Sequence, residues 1–169
     1  MSLNKFIANY SAFNDWANNE IVRWLKGIDR VLLYQKTPSS FASMDYTLQH
    51  ILRTQTYWLA FITNQDTSQL NWNVRENDVE NILEELLIVS EKMKVSFSSF
   101  SEEDLETILH LDTEWAKNDL SRYEYIVHII NHGSFHRGQI ITMARCIGIK
   151  EGIVNTDYNI YLSPKENKK

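Results

Sequence analysis

The chain has 169 residues, of which 43% are apolar and 23% charged, with five glycines, two prolines and one cysteine. That usage excludes collagen-like and low-complexity sequence, and the length suits one buried core better than two, so a single domain spanning residues 1–169 is expected. A formal charge of −5, with no cluster of basic residues to offset it, repels a phosphate backbone, and no nucleic-acid partner is expected.

Apolar residues return every three or four positions while Gly and Pro are scarce, which is the pattern of long helices joined by short polar connections. A first helix runs from about Asn4 to Leu25 on a stripe that includes Ile7, Phe13, Ala17, Ile21 and Leu25, and Gly27 followed by Asp29 reads as its stop. Pro38 interrupts the chain, and a second helix, which Ser40 or Ser43 can cap, covers about Met44 to Asn64. A third covers about Val74 to Phe97. The polar stretch from Ser98 to Asn118 is too long for a simple turn, and within it Leu109-His110-Leu111 can form a short extended piece. Ser121 and Glu124 have the spacing of a capping box that opens a fourth helix ending near Ile147. The apolar residues of that last helix, among them Tyr125, Ile130, Phe135, Ile140 and Ile147, cover much of its circumference, so it is expected to be central or to lie at a subunit interface. Four long helices with one irregular crossover before the last indicate an all-α, four-helix bundle.

No apolar run approaches the roughly 20 residues that span a bilayer, and His128 interrupts even the short block from Ile126 to Ile130. Met1 to Ser11 lacks the charged start and apolar core of a secretory signal, and Cys146 has no intrachain partner. A soluble cytoplasmic protein without a membrane partner is the expectation. Cys146, about 21 Å along the helix from His132, cannot form a catalytic pair with it and reads as a buried thiol.

Three of the five histidines, His128, His132 and His136, recur every four residues in the last helix. Residues four apart lie one turn apart on nearly the same face, so two imidazoles can converge on one ion, whereas His128 and His136 stand about 12 Å apart along the axis. A bound pair therefore needs a ligand from elsewhere, and His50, set among the apolar residues of the second helix, is the natural donor. Spacing alone leaves a hydrogen-bonded core histidine and a metal ligand as open alternatives. Tyr46 and Thr54, one turn on either side of His50, are candidates for a pocket wall, with ordinary helix surface the simpler reading. The polar run Asn14, Asp15, Asn18 and Asn19 is read first as a solvated helix face, Arg137 as the partner of an acidic residue, and Gly138 as a point of close packing.

The stretch Asn131-His132-Gly-Ser-Phe-His136-Arg137-Gly138-Gln139 resembles the N-H-x-x-x-H-R-G-Q signature of the DinB/YfiT-like family. Residues Tyr10 to Leu25, Ser43 to Ile51, and Gly148 with Thr156-Asp157-Tyr158 resemble other parts of the same family, so the likeness spans nearly the whole chain. The resemblance implies an antiparallel bundle, often a homodimer, with a divalent metal held by one histidine of the second helix and two of the last. Carried over by position, these are His50, His132 and His136, with His128 packing beside them and His110 left as a loop histidine.

A three-histidine set leaves a coordination position open and retains the full charge of the ion. Imidazole suits zinc and nickel, which are favoured, and also iron and copper. The resemblance implies a metal-dependent enzyme that activates a low-molecular-weight thiol cosubstrate in S-transferase-like chemistry on a small-molecule substrate. The alternatives are a hydrolase using metal-bound water, a non-catalytic stress or sensing protein that binds metal, and a structural homodimer. No phosphate-binding glycine loop or Glu-x-x-His pair is present, which argues against nucleotide and di-iron enzymes.

Overall fold

The computed structural model describes residues 2–70 and 78–164. Helix α1 (Leu3–Lys26) ends at Gly27, as its apolar spacing requires, and is followed by the single turn α2 (Arg30–Leu33), capped by Asp29, whose Oδ1 accepts from the Val31 N–H at 3.0 Å. Helix α3 (Met44–Ile62) comes after the Pro38 segment. Ser43 does occupy its N-cap position, but the Ser43 hydroxyl contacts the Asp45 carboxylate rather than a helix N–H. Helix α4 (Val79–Ser98) is capped by Asp78, which accepts from the Glu80 N–H at 3.1 Å. The expected start of this helix at Val74, and the charged tail 165–169, lie outside the described residues.

The polar stretch before the last helix is ordered. It contains α5 (Glu102–Glu106), closed by a Ser101–Asp104 capping box, and an antiparallel hairpin of β1 (Ile108–Asp112) and β2 (Lys117–Ser121). Alternation along β1 buries Leu109 and Leu111 and exposes Ile108 and His110, so one face of the hairpin is held on the core. The turn carries Trp115. Helix α6 (Arg122–Cys146) opens with the expected box, in which the Ser121 N–H donates to Glu124 Oε2 at 2.8 Å. Tyr125 then donates its hydroxyl to the Asn118 carbonyl at 2.9 Å, fastening the hairpin to α6. A last short helix, α7 (Tyr158–Leu162), packs its tyrosines on Tyr10 and Phe13 of α1.

Helix α1 packs against α4 and α6, and α3 packs against the same two, so the four long helices close around one core. Fully buried Ile7, Ala17, Leu48, Ile126, Ile129 and Ile130 form its centre. Each of these isoleucine and leucine side chains contributes about 1.5–3 kcal/mol by leaving water. No helix among the described residues is long and apolar enough to cross a membrane.

The core also holds a polar network that the sequence reading misplaced. Asn14 and Asn18 are buried on α1, not solvated, and both accept from Nη1 of the buried Arg137, at 3.0 and 2.8 Å. Asn18 Nδ2 in turn donates to Gln55 Oε1 of α3 at 3.1 Å and to Ser90 Oγ of α4 at 2.9 Å. Arg137 therefore meets neutral amides and the Ser134 hydroxyl, at 2.9 Å, instead of the acidic partner expected for it. Burial lowers its pKa to about 10, which still leaves it protonated at neutral pH. The close approach occurs at Gly133, beside these polar atoms, while Gly138 has nothing near the position of a β-carbon. Cys146 is exposed at the end of α6, on the side away from Met143 and Ala144, which are buried in the same turn. Phe135, expected within the apolar circumference of α6, is 60% exposed.

Candidate metal centre

On α3, Arg53, Thr54 and Tyr57 stand three, four and seven residues after His50 and share with it the face that borders a cleft of about 550 Å³. His50 is therefore half-buried at the edge of the helix and does not point into the apolar core. Across the cleft, α6 presents His128 and His132. His136, one turn further on and buried, turns its ring toward His50, with ring centroids 4.5 Å apart.

The imidazole nitrogens of His50, His132 and His136 converge. His132 Nε2 lies 3.3 Å from His50 Nε2 and 3.1 Å from His136 Nε2, and each residue offers one nitrogen within 4.8 Å of the other two. The group includes no carboxylate. His128 stacks beside His132, with centroids 5.9 Å apart, and meets Trp58 edge-on at 5.0 Å, so it borders the group without joining it. His110 stands apart on β1, where Nδ1 is 2.8 Å from the Asp119 carboxylate.

Two residues given no role by the sequence, Gln139 of the signature and Phe41, shape the group. Gln139 Oε1 accepts from Nδ1 of His136 at 2.7 Å, and Gln139 Nε2 donates to Ser40 Oγ at 2.8 Å. That bond places the His136 proton on Nδ1 and leaves a lone pair on Nε2, facing the other two rings. Phe41, from the segment before α3, lies over His50 with centroids 4.5 Å apart and closes one side. The Gln139 contact is readable in principle from its i+3 spacing to His136. Those of Ser40 and Phe41 depend on the path of an irregular segment. Thr54 lines the cleft, with its hydroxyl donated to the His50 carbonyl at 2.8 Å. Tyr46 does not line it and is 53% exposed.

Burial disfavours the charged form of each ring. It pushes His132 down to about 4, reinforced by charge repulsion from His136, His50 and His128. His50 is lowered by burial and then by His136 and Arg53, His128 by burial alone, and His136 by burial opposed by its bond to Gln139. At neutral pH these rings are uncharged, which is the form that donates a lone pair to a metal.

The nitrogen spacing fits an ion. Bonds of about 2.0–2.1 Å in tetrahedral array set ligand nitrogens about 3.3 Å apart, close to the 3.3 and 3.1 Å found. Hydrogen bonding alone leaves the group short of donors, because His132 Nε2 faces two nitrogens and one of them, on His136, carries a lone pair. A cation takes all three lone pairs together. The group could hold a metal ion, and its all-imidazole chemistry does not choose among the divalent metals that imidazole suits.

The family model described as the DinB family matches residues 1–169 of the chain. Protein DinB of Bacillus subtilis (strain 168) is 26% identical over 167 residues, covering 93% of this chain and 94% of that protein. Among solved structures, a DinB-like protein from Bacillus subtilis superposes with a TM-score of 0.64 at 18% identity, over 86% of this chain and 94% of its own. A DinB-like protein from Bacillus cereus gives 0.61 at 16% identity, over 82% and 91% respectively. These two support the fold alone.

Proposed function

The chain belongs to the DinB family, and from that premise we propose that it is a metal-dependent enzyme in which His50, His132 and His136 hold one divalent ion and a small thiol is activated beside it. The observation that carries this reading is the convergence of the three ring nitrogens at the wall of a cleft large enough for a small molecule. We take the ion to be zinc or nickel, with iron and copper also compatible with the imidazole set. When bound, the ion supplies a positive charge that stabilises an anionic nucleophile, thiolate above all.

The remaining work falls to the protein. Gln139 holds the His136 proton at Nδ1, Phe41 and Trp58 limit the access of water to His50 and His128, and the aromatic wall receives the apolar part of a substrate. In this reading the chain is one domain, an antiparallel four-helix bundle, working in the cytoplasm as a homodimer.

The test is metal content per chain in protein purified without chelator or affinity nickel. Wild type and His128→Ala should carry about one ion each, and His50→Ala, His132→Ala and His136→Ala should lose it. Metal absent from wild type, or kept by the triple variant, removes the premise. Thiol activation is then tested on cobalt-loaded protein: a panel of low-molecular-weight thiols should perturb the cobalt absorption, and a panel that neither does so nor supports transfer to any electrophile overturns that step.

A further inference from the structure

The cleft beside the histidines contains a cation whose buried donor has no protein partner among the described residues. Arg53 stands one turn beyond His50, partly buried, and its Nε–H is shut off from solvent without a hydrogen-bond acceptor. Other arginines are engaged: Arg23 with Glu20, Arg30 with Glu80, Arg122 with the Ile62 carbonyl at 3.1 Å and Arg137 with Asn14 and Asn18, although the Nε of Arg137 likewise has no acceptor. Among the described residues no carboxylate lines the cleft. A surface arginine would have its donors satisfied by water. Here the Nε–H is closed to the cleft as it is to solvent, so an incoming acid meets the guanidinium through its Nη groups.

The rest of the cleft is aromatic. Trp58 and Tyr57 form its floor from α3, with ring centroids 5.4 Å apart, and Trp115 stands over them from the hairpin turn, 5.8 Å from Tyr57 and 5.9 Å from Trp58. Trp115 is 63% exposed, so much of the indole is open beside the aromatic floor. A guanidinium pairs end-on with a carboxylate through two parallel Nη–H bonds, and flat aromatic walls favour a flat apolar body.

We propose that this cleft binds an organic carboxylate with a flat apolar body, the carboxylate paired with Arg53 and the body laid against the exposed indole of Trp115 and the Tyr57 and Trp58 rings it packs on. The assignment names the substrate class of the site described under Proposed function and rests on that reading only for its chemistry, because Arg53 is not among the three histidines.

The experiment uses 2-naphthoate and its neutral counterpart 2-naphthamide as probes, measured by equilibrium dialysis on the full chain, both metal-loaded and stripped by chelator. Wild type should bind the naphthoate at least tenfold more tightly than the amide in both forms, and Arg53→Gln should bring the two within twofold while leaving amide binding unchanged. Trp115→Ala should weaken both probes together. Equal affinities in wild type, a preference that survives Arg53→Gln, or a preference seen only with metal present each overturn the proposal. If the glutamine variant fails to fold, a wild-type ratio below about threefold in stripped protein overturns it alone. Metal analysis of the same samples separates this outcome from failure of the metal reading, because a preference through Arg53 persists without an ion.

Discussion

Two glycines five residues apart in α6 provide a matched test of how the helices pack. At Gly138 a β-carbon would meet nothing within 4 Å, so Gly138→Ala should deliver the ordinary gain of replacing glycine in an exposed helix, about 0.5–1 kcal/mol. At Gly133 the same atom would lie 3.1 Å from Arg137 Nη1, and 3.3 Å from both Asn14 Oδ1 and Gln55 Nε2. The guanidinium must give way by a few tenths of an ångström, and it is held by bonds of 2.8–3.0 Å to Asn14, Asn18 and Ser134. Losing one hydrogen bond to a charged group costs about 1.5–3 kcal/mol, which exceeds the propensity gain and leaves Gly133→Ala about 1–2 kcal/mol less stable than wild type. The two variants should therefore differ by about 2–3 kcal/mol, or about 5–10 °C in Tm for a chain of this size. Urea unfolding of wild type and both variants, with equal m-values to show that one transition is compared, measures the difference. A Gly133→Ala protein as stable as Gly138→Ala would refute the argument that this glycine makes room for the network.

Gln139→Leu should weaken divalent-metal binding about 10- to 100-fold, because the His136 proton is no longer held at Nδ1. Competition with a chromophoric chelator reads the change, and unaltered affinity would rule the bond out as an orienting contact. Acid should destabilise the metal-free protein early. With His132 pushed down to about 4 from an ordinary 6.5, the unfolded chain binds more protons between those values, so stability is present above about pH 6.5 and is lost as the pH falls toward 4. His50, His128 and His136 act in the same direction. The urea midpoint of chelator-treated protein should hold level above about pH 6.5 and fall from there to pH 5, and a flat or rising midpoint over that lower range would contradict the burial assigned to these rings.

The long helices were legible because burial of a stripe at helical spacing dominates their energetics: the expected and observed limits of α1 and α6 differ by one residue at each end. The pairing of His132 with His136 was legible for a related reason, since one-turn spacing fixes them on one face whatever the surrounding fold, whereas His50 joined them through its place in the second helix and the family resemblance. Arg137 was misread because a buried cation conventionally takes an acidic partner, and asparagines at 14 and 18 look in sequence like any wet helix surface. Only the packing of α1 on α6 turns them inward. Trp115 and Phe41 belong to a hairpin turn and an irregular segment, where local pattern carries little information about the path of the chain. Gly138, next to Arg137 in the signature, drew attention away from Gly133, whose importance depends on what stands opposite.

The buried guanidinium of Arg137 also limits how these helices can be mutually aligned. Through Asn14 and Asn18, Gln55, Ser90 and Ser134 it connects side chains from α1, α3, α4 and α6. Aliphatic side chains tolerate sliding, because one leucine or isoleucine surface resembles the next. A charged group does not. A slip of one turn moves Asn14 and Asn18 by about 5.4 Å, so that at most one of them still reaches the guanidinium, and losing the other acceptor of a desolvated cation costs about 1.5–3 kcal/mol. The network acts as an indexing pin: it adds little to the depth of the native minimum and raises the energy of misaligned packings. It thereby fixes the axial offset at which His50 on one helix comes level with His132 and His136 on another.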